Sequence, residues 1–260
     1  MLTFRYRTAA GIVAGTAHSP EELAGYELAS PVEPPEVWGA GVTYERSRDA
    51  RVAESDDAKD LYMQVYEAER PELFLKDAAC RRTVGPGEPI GVRSDSAWNV
   101  PEPEIAIVLG EHCEPAGLTI ANDVSSRAIE GENPLYIPQA KIFAGACALG
   151  PAVLIPENWE APLEIHLRIA DADGNELFTG ETSTARMRRT FPELVEWLLR
   201  ANPVPPGSVM LTGTGLVPPD DFTLEPGHVV AIHVPGIGTL TNPVVASEEL
   251  LTTRRSEIHD

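Results

Sequence analysis

The chain has 260 residues, 43% of them apolar, with 40 acidic against 20 basic side chains and a formal net charge of −20. That length allows one large domain, or one domain with a small appendage, and a sizeable buried core. The charge excludes nucleic acid as a natural partner, because phosphate binding draws on Lys and Arg, and no run of 18 apolar residues offers a membrane span. The N-terminus, Met1 to Arg7, lacks the apolar core of a signal peptide. Cys80, Cys113 and Cys147 are odd in number and widely spaced. They read as thiols in a reducing cytoplasm, not as a disulfide framework or a zinc site. An anionic substrate must then be drawn in locally, by a metal and a few cations, against the field of the whole molecule. The acidity fits a saline cytoplasm or an acidic proteome. Only Lys59, Lys76 and Lys141 are lysines, so a lysine inside a motif stands out as a wanted compact ammonium.

In chain order, Thr3 to Tyr6 and Gly11 to Ala14 predict a small β-rich start, followed by a Pro-rich connector at Pro31 to Pro35. Ala50, Ala53, Leu61, Val65 and Ala68 fall near helical spacing, which predicts a helix over about 46–69 that Pro71 stops. From residue 76 short β-like runs are broken by Gly and Pro: 90–92, 105–109, 118–121, 163–170, 209–212, 228–234 and 238–240. Asp171-Ala-Asp-Gly-Asn predicts a hairpin turn. Thr190 with Glu193 reads as a capping box opening a helix that Pro203 closes. Many strands with few helices imply an α+β, β-dominated fold, not alternating βαβ units. We expect a small N-terminal region over 1–70 and a catalytic domain over 71–260. Five of the six histidines, His18, His112, His166, His228 and His233, show no ligand spacing, and Gly236-Ile-Gly falls short of a dinucleotide loop.

Residues 98–141 carry the chemistry. Glu102 and Glu104 stand two apart before an apolar run, so on an extended segment they point to one face. Asp123 ends a second apolar run, and Arg127 and Lys141 follow it. Three hard oxygen ligands suit Mg²⁺, Mn²⁺ or Ca²⁺ rather than zinc, and the nearby cations suit a small anionic substrate. Further blocks are Gly41 to Arg48, Ala68 to Lys76, Ile129 to Lys141, Leu211 to Pro218, Leu224 to Gly227 and Gly236 to Val244.

Together these blocks resemble the fumarylacetoacetate hydrolase superfamily over about residues 70–245, and most closely its sugar-acid dehydratase branch. The resemblance implies a mixed β-roll or barrel catalytic fold, assembled as a homodimer or higher homo-oligomer. It implies that Glu102, Glu104 and Asp123 hold a divalent metal, with Mg²⁺ first. Lys141 would contact substrate and carry a proton or anchor the ligand. Thr214, between two glycines, would meet the substrate carboxylate. Arg127 either recognises a carboxylate or fastens its loop to Glu130. Glu130, ahead of Glu132, Glu72 and Glu69, is the candidate general base. Ser47 stands near where the hydrolase branch has a catalytic histidine, and is a candidate substrate contact.

The implied reaction is dehydration of a 2-keto-3-deoxy sugar acid in pentose catabolism, giving 2,5-dioxopentanoate from a five-carbon substrate. A base takes a C3 proton made acidic by the polarised C2 carbonyl, and the C4 hydroxyl leaves with a general acid. Two alternatives stand beside it: a carbon–carbon hydrolase of acylpyruvate or fumarylpyruvate type, and a non-catalytic metal-binding dimer. Hydrolysis needs a base poised near neutral pH to activate water, the natural task of imidazole. The segment Tyr44-Glu-Arg-Ser-Arg-Asp has no histidine, which favours the dehydratase.

Overall fold

The computed structural model describes residues 1–44 and 63–251. Two sheets enclose one main core. The larger runs in the order β2, Gly11–Ala17; β1, Leu2–Thr8; β12, Cys147–Leu154; β10, Pro115–Asp123; β9, Pro103–Leu109; β15, Val209–Leu211; β4, Glu36–Gly41; and β5, Glu72–Ala78. Two short strands join it: β3, Leu28–Ala29, beside β1, and β6, Thr83–Val84, beside β12. The second sheet runs β14, Glu176–Ser183; β13, Glu164–Ala170; β16, Val229–Val234; β17, Gly238–Ala246; and β7, Ile90–Val92. A small pair, β8, Asn99–Val100, and β11, Ser125–Ser126, lies between β7 and the first helix in sequence. Helices α1, Arg127–Glu132; α2, Ile137–Lys141; and α3, Phe191–Leu199, follow, and residues 247–251 are also helical.

Strand β9 is buried along its whole length, and its alternation feeds two cores. Ile105, Ile107 and Leu109 join Leu118 and Ile120 against Ile165, Leu167 and Ile169 of the second sheet. Ala106 and Val108, on the opposite face, pack with Val37, Leu149 and Val209. A buried side chain of this size contributes about 1.5–3 kcal/mol, which fixes the register of β9. Helix α3 buries Phe191, Leu194, Val195 and Leu198, and its capping box is formed as the sequence predicts. The hairpin at Asp171 also forms, joining β13 to β14.

All the predicted strands are present, and seven further ones accompany them: the two-residue β3, β6, β8 and β11, and the longer β4, β5 and β12. The connector expected at Pro31 to Pro35 leads directly into β4, which pairs with β15 and β5 inside the large sheet. Strands from both sides of residue 70 therefore share that sheet. In β12, Pro151 lies where the pairing with β10 shifts register. The helix expected over about 46–69 lies mostly outside the described residues; 63–67 are helical.

Sheet directions place the functional residues. Strands β9 and β10 are antiparallel, so the start of one and the end of the other share an edge of the sheet. Strand β15 is parallel to β4 and antiparallel to β9, and β5 is antiparallel to β4. The start of β9, the ends of β10, β15 and β4, and the start of β5 thus meet at one end of the large sheet.

Candidate active site

A small cleft opens at that end, lined by Gly41, Phe74, Glu102, Asp123, Arg127, Lys141, Gly213 and Thr214 among others. Glu102 stands just before β9, Glu104 is its second residue and Asp123 is the last of β10. The backbone ties them, since the Asp123 N–H donates to the Glu102 carbonyl at 3.0 Å. All three carboxylates are at most 3% exposed, and each offers an oxygen within 4.8 Å of the others. Asp and Glu oxygens alone, with no Cys or His, make a donor set for a hard divalent cation.

Three buried carboxylates this close repel one another. Burial, then Asp123 and Glu102, hold the Glu104 carboxyl well above its ordinary value of 4.5. One Glu104 oxygen accepts the Gly213 N–H at 2.6 Å. Gly213 has φ +89°, and a Cβ there would collide with Thr43 Oγ1, so glycine is needed for the backbone to reach Glu104.

Short helices bring in the cations. Ser126 caps α1, its hydroxyl accepting the Ile129 N–H at 3.3 Å. Pro134 and Pro138 open the next two turns. These helices were not foreseen, because Gly131, Pro134 and Pro138 read as loop. Helix α2 ends on Lys141, which is 1% exposed. Its ammonium reaches Glu102 Oε2 at 2.8 Å, Asp123 Oδ2 at 3.0 Å, Ser125 Oγ at 2.6 Å and Glu130 Oε1 at 3.4 Å. Arg127 donates to Glu102 Oε1 at 3.0 Å and lies 3.6 Å from Glu130 Oε2.

Of the predicted set, Glu102, Glu104, Asp123, Arg127, Lys141 and Thr214 come together here. Thr214 is buried, donates its hydroxyl to the Leu216 carbonyl at 2.9 Å and lines the cleft. Glu130 is fully buried behind Lys141 and Arg127 and does not line the cleft. That place sets a carboxylate against two cations, away from the cleft lining where the expected base would meet substrate. Glu69 and Glu132 are exposed. Glu72 is half-buried and packs against Gly41 at the cleft. Ser47 lies outside the described residues. No histidine lines the cleft among the described residues. On the second sheet His166 is half-buried and His233 exposed.

The fumarylacetoacetate hydrolase C-terminal family matches residues 36–245. The chain belongs to that family. It is 50% identical over 215 residues to the probable 2-keto-3-deoxyxylonate dehydratase of Haloferax volcanii, covering 82% of this chain and 73% of that one. It is 46% identical over 229 residues to the 2-dehydro-3-deoxy-D-arabinonate dehydratase of Saccharolobus solfataricus, covering 86% and 76%. A solved 2-keto-3-deoxy-D-arabinonate dehydratase complexed with magnesium and 2,5-dioxopentanoate superposes with a TM-score of 0.80 at 35% identity, covering 95% of this chain and 99% of that one. Among members of the fumarylacetoacetate hydrolase family this chain is thus similar to sugar-acid dehydratases, as the sequence blocks implied.

One site residue was missed. Lys76 on β5 is fully buried and pairs with Asp123 Oδ1. The signal was available: it is one of only three lysines, inside a block shared with the dehydratase branch.

Proposed function

We propose that this protein is a Mg²⁺-dependent hydro-lyase that dehydrates a 2-keto-3-deoxy pentonate to 2,5-dioxopentanoate. The observation that carries this reading is the buried Glu102, Glu104 and Asp123 trio, bridged by Lys141 and opening on a cleft without histidine. The similarity to the two dehydratases supports the substrate class. Glu102, Glu104 and Asp123 would hold the ion. When bound, Mg²⁺ supplies Lewis acidity to the C2 carbonyl and makes the C3 protons acidic. Mn²⁺ or Ca²⁺ would suit the same oxygens less selectively.

Thr214 and Arg127 line the cleft on two sides and receive the substrate carboxylate and hydroxyls. Lys141 faces both the trio and the cleft, so it can take the C3 proton as a neutral amine. As an ammonium it returns that proton to the leaving C4 hydroxyl. One proton and one hydroxide leave as water, giving a 5-hydroxy-2-oxo-3-enoate; a proton then passes from C5 to C3, and the resulting C5 enol tautomerises to the aldehyde. Glu130 holds Lys141 and Arg127 in register. Proton transfer of this kind contributes on the order of 10²–10⁴-fold. Ser47 remains a proposed substrate contact.

No helix among the described residues is long and apolar enough to cross a membrane. Cys80, Cys113 and Cys147 form no disulfide among the described residues, which fits a cytoplasmic location. A homodimer, implied by the family resemblance, is a further part of the proposal.

The test is a comparison of kcat/KM on 2-keto-3-deoxy-D-arabinonate and on acetylpyruvate, with and without EDTA. The sugar acid should be favoured by at least about a hundredfold, roughly 2.7 kcal/mol in transition-state stabilisation. Turnover should vanish with chelator and return with Mg²⁺. A preference for acetylpyruvate would replace this reading by the hydrolase, and full activity in excess EDTA would remove the metal from it.

A further inference from the structure

Lys76 has no solvent contact at all. Its ammonium pairs with Asp123 Oδ1, donates to the Val124 carbonyl at 2.9 Å and lies 5.7 Å from the Phe143 ring centre. Burying a charge this completely is costly unless it is paired. The pairing distinguishes the two oxygens of Asp123. Oδ1 is tied to β5 through Lys76. Oδ2 shares the Lys141 ammonium with Glu102 Oε2, at 3.0 Å and 2.8 Å, and so is the oxygen turned toward the other carboxylates.

We infer that Lys76 is a positioning residue that restricts Asp123 to one-oxygen coordination and so biases the site toward Mg²⁺ over Ca²⁺. The inference rests on the metal-site reading given above. Mg²⁺ needs compact octahedral geometry, whereas Ca²⁺ takes more oxygens and accepts carboxylates in bidentate fashion. An Asp123 free to swing would serve the larger ion. Charge points to a second consequence. With a dication bound, the four carboxylates Glu102, Glu104, Asp123 and Glu130 are ionised and meet three cations, Lys76, Lys141 and Arg127. The loaded cluster then carries +1 and is neutral with a substrate carboxylate. Without Lys76 the loaded site is already neutral, and the substrate carboxylate leaves it at −1.

Calorimetric titration of the full, chelator-stripped chain with MgCl₂ and with CaCl₂ tests this. The wild type should bind Mg²⁺ at least about tenfold more tightly than Ca²⁺. Lys76→Met should lower that ratio at least tenfold. Lys76→Gln keeps an amide donor for Asp123 without the charge, so it should restore most of the ratio while KM for the keto acid stays raised. Circular dichroism reports whether each variant folds. An unchanged ratio in a folded Lys76→Met variant overturns the role of Lys76. If neither variant folds, the wild type decides: equal affinity for the two ions overturns the inference, and the expected Mg²⁺ preference upholds it. A wild type that binds no dication sinks the metal-site reading itself, an outcome distinct from a bound metal with unaltered selectivity.

Discussion

Glu104 is where burial and like charge act together. With its carboxyl held above the ordinary 4.5 by burial and by Asp123 and Glu102, the metal-free protein stabilises the neutral acid. The folded value is raised, so this contribution is complete below the unfolded value and is lost as pH rises through the folded one. Metal-free protein should therefore lose stability as pH rises above about 4.5, while a bound dication favours the ionised form and reverses the trend. Below the raised value, Mg²⁺ binding should release up to about one proton, and affinity should increase with pH. Titration calorimetry in buffers of different ionisation enthalpy measures that proton directly; no release at any pH would show that Glu104 is already ionised. Glu104→Gln should weaken Mg²⁺ at least about tenfold. Lys141 is proposed to act on the substrate instead. Lys141→Met should cut kcat by about 10²-fold or more, with Mg²⁺ affinity much less affected. A normal kcat with a mildly raised KM would make it an anchor rather than a proton carrier.

At the scale of elements, the turn after β15 matters more than its length suggests. Gly213→Ala meets left-handed strain, a collision with Thr43 Oγ1 and displacement of the N–H from Glu104. Gly174, in the turn between β13 and β14, has φ +86° with nothing near a would-be Cβ. Gly174→Ala should cost only the strain, about 1–2 kcal/mol, with Mg²⁺ affinity unchanged. Gly213→Ala should cost more and weaken Mg²⁺ several-fold. Equal melting shifts with equal Mg²⁺ affinity in the two variants would deny the turn its part in the site. Much of this was legible in the sequence because chemistry is local there: Glu102 and Glu104 sit two apart at a strand start, and Asp123 ends the next apolar run. What was not legible depends on tertiary cover. Strand β4, Glu-Val-Trp-Gly-Ala-Gly, has poor strand propensity and forms because β15 and β5 flank it. Strand β12 contains Gly150-Pro151, which argues against a central strand. Lys76 stands out in the sequence as one of three lysines, but that it pairs with Asp123 is set only by the tertiary fold.

For the whole molecule, the decisive number is the net charge of −20. Among the described residues five acids are buried, Asp77, Glu102, Glu104, Asp123 and Glu130, and four of these form the site. The excess therefore lies on the surface, where several arginines are already paired, Arg5 with Glu33, Arg168 with Glu176 and Arg200 with Glu196. Salt has two opposing effects. It weakens such exposed pairs, each worth about 0–1 kcal/mol. It also screens the repulsion among uncompensated carboxylates, which extends over about 10 Å at 0.1 M and about 3 Å at 1 M ionic strength. The uncompensated charges far outnumber the pairs, so screening wins. The melting temperature should rise by several °C between about 0.02 M and 1 M KCl, with most of the gain below about 0.5 M. The same field repels an anionic keto acid during approach. kcat/KM should therefore rise with ionic strength over the same range, the reverse of an enzyme that attracts its substrate through its overall charge. Thermal melts and initial rates across one KCl series measure both quantities. A flat or falling melting temperature would mean that paired arginines, not surplus acids, govern the electrostatics of this surface.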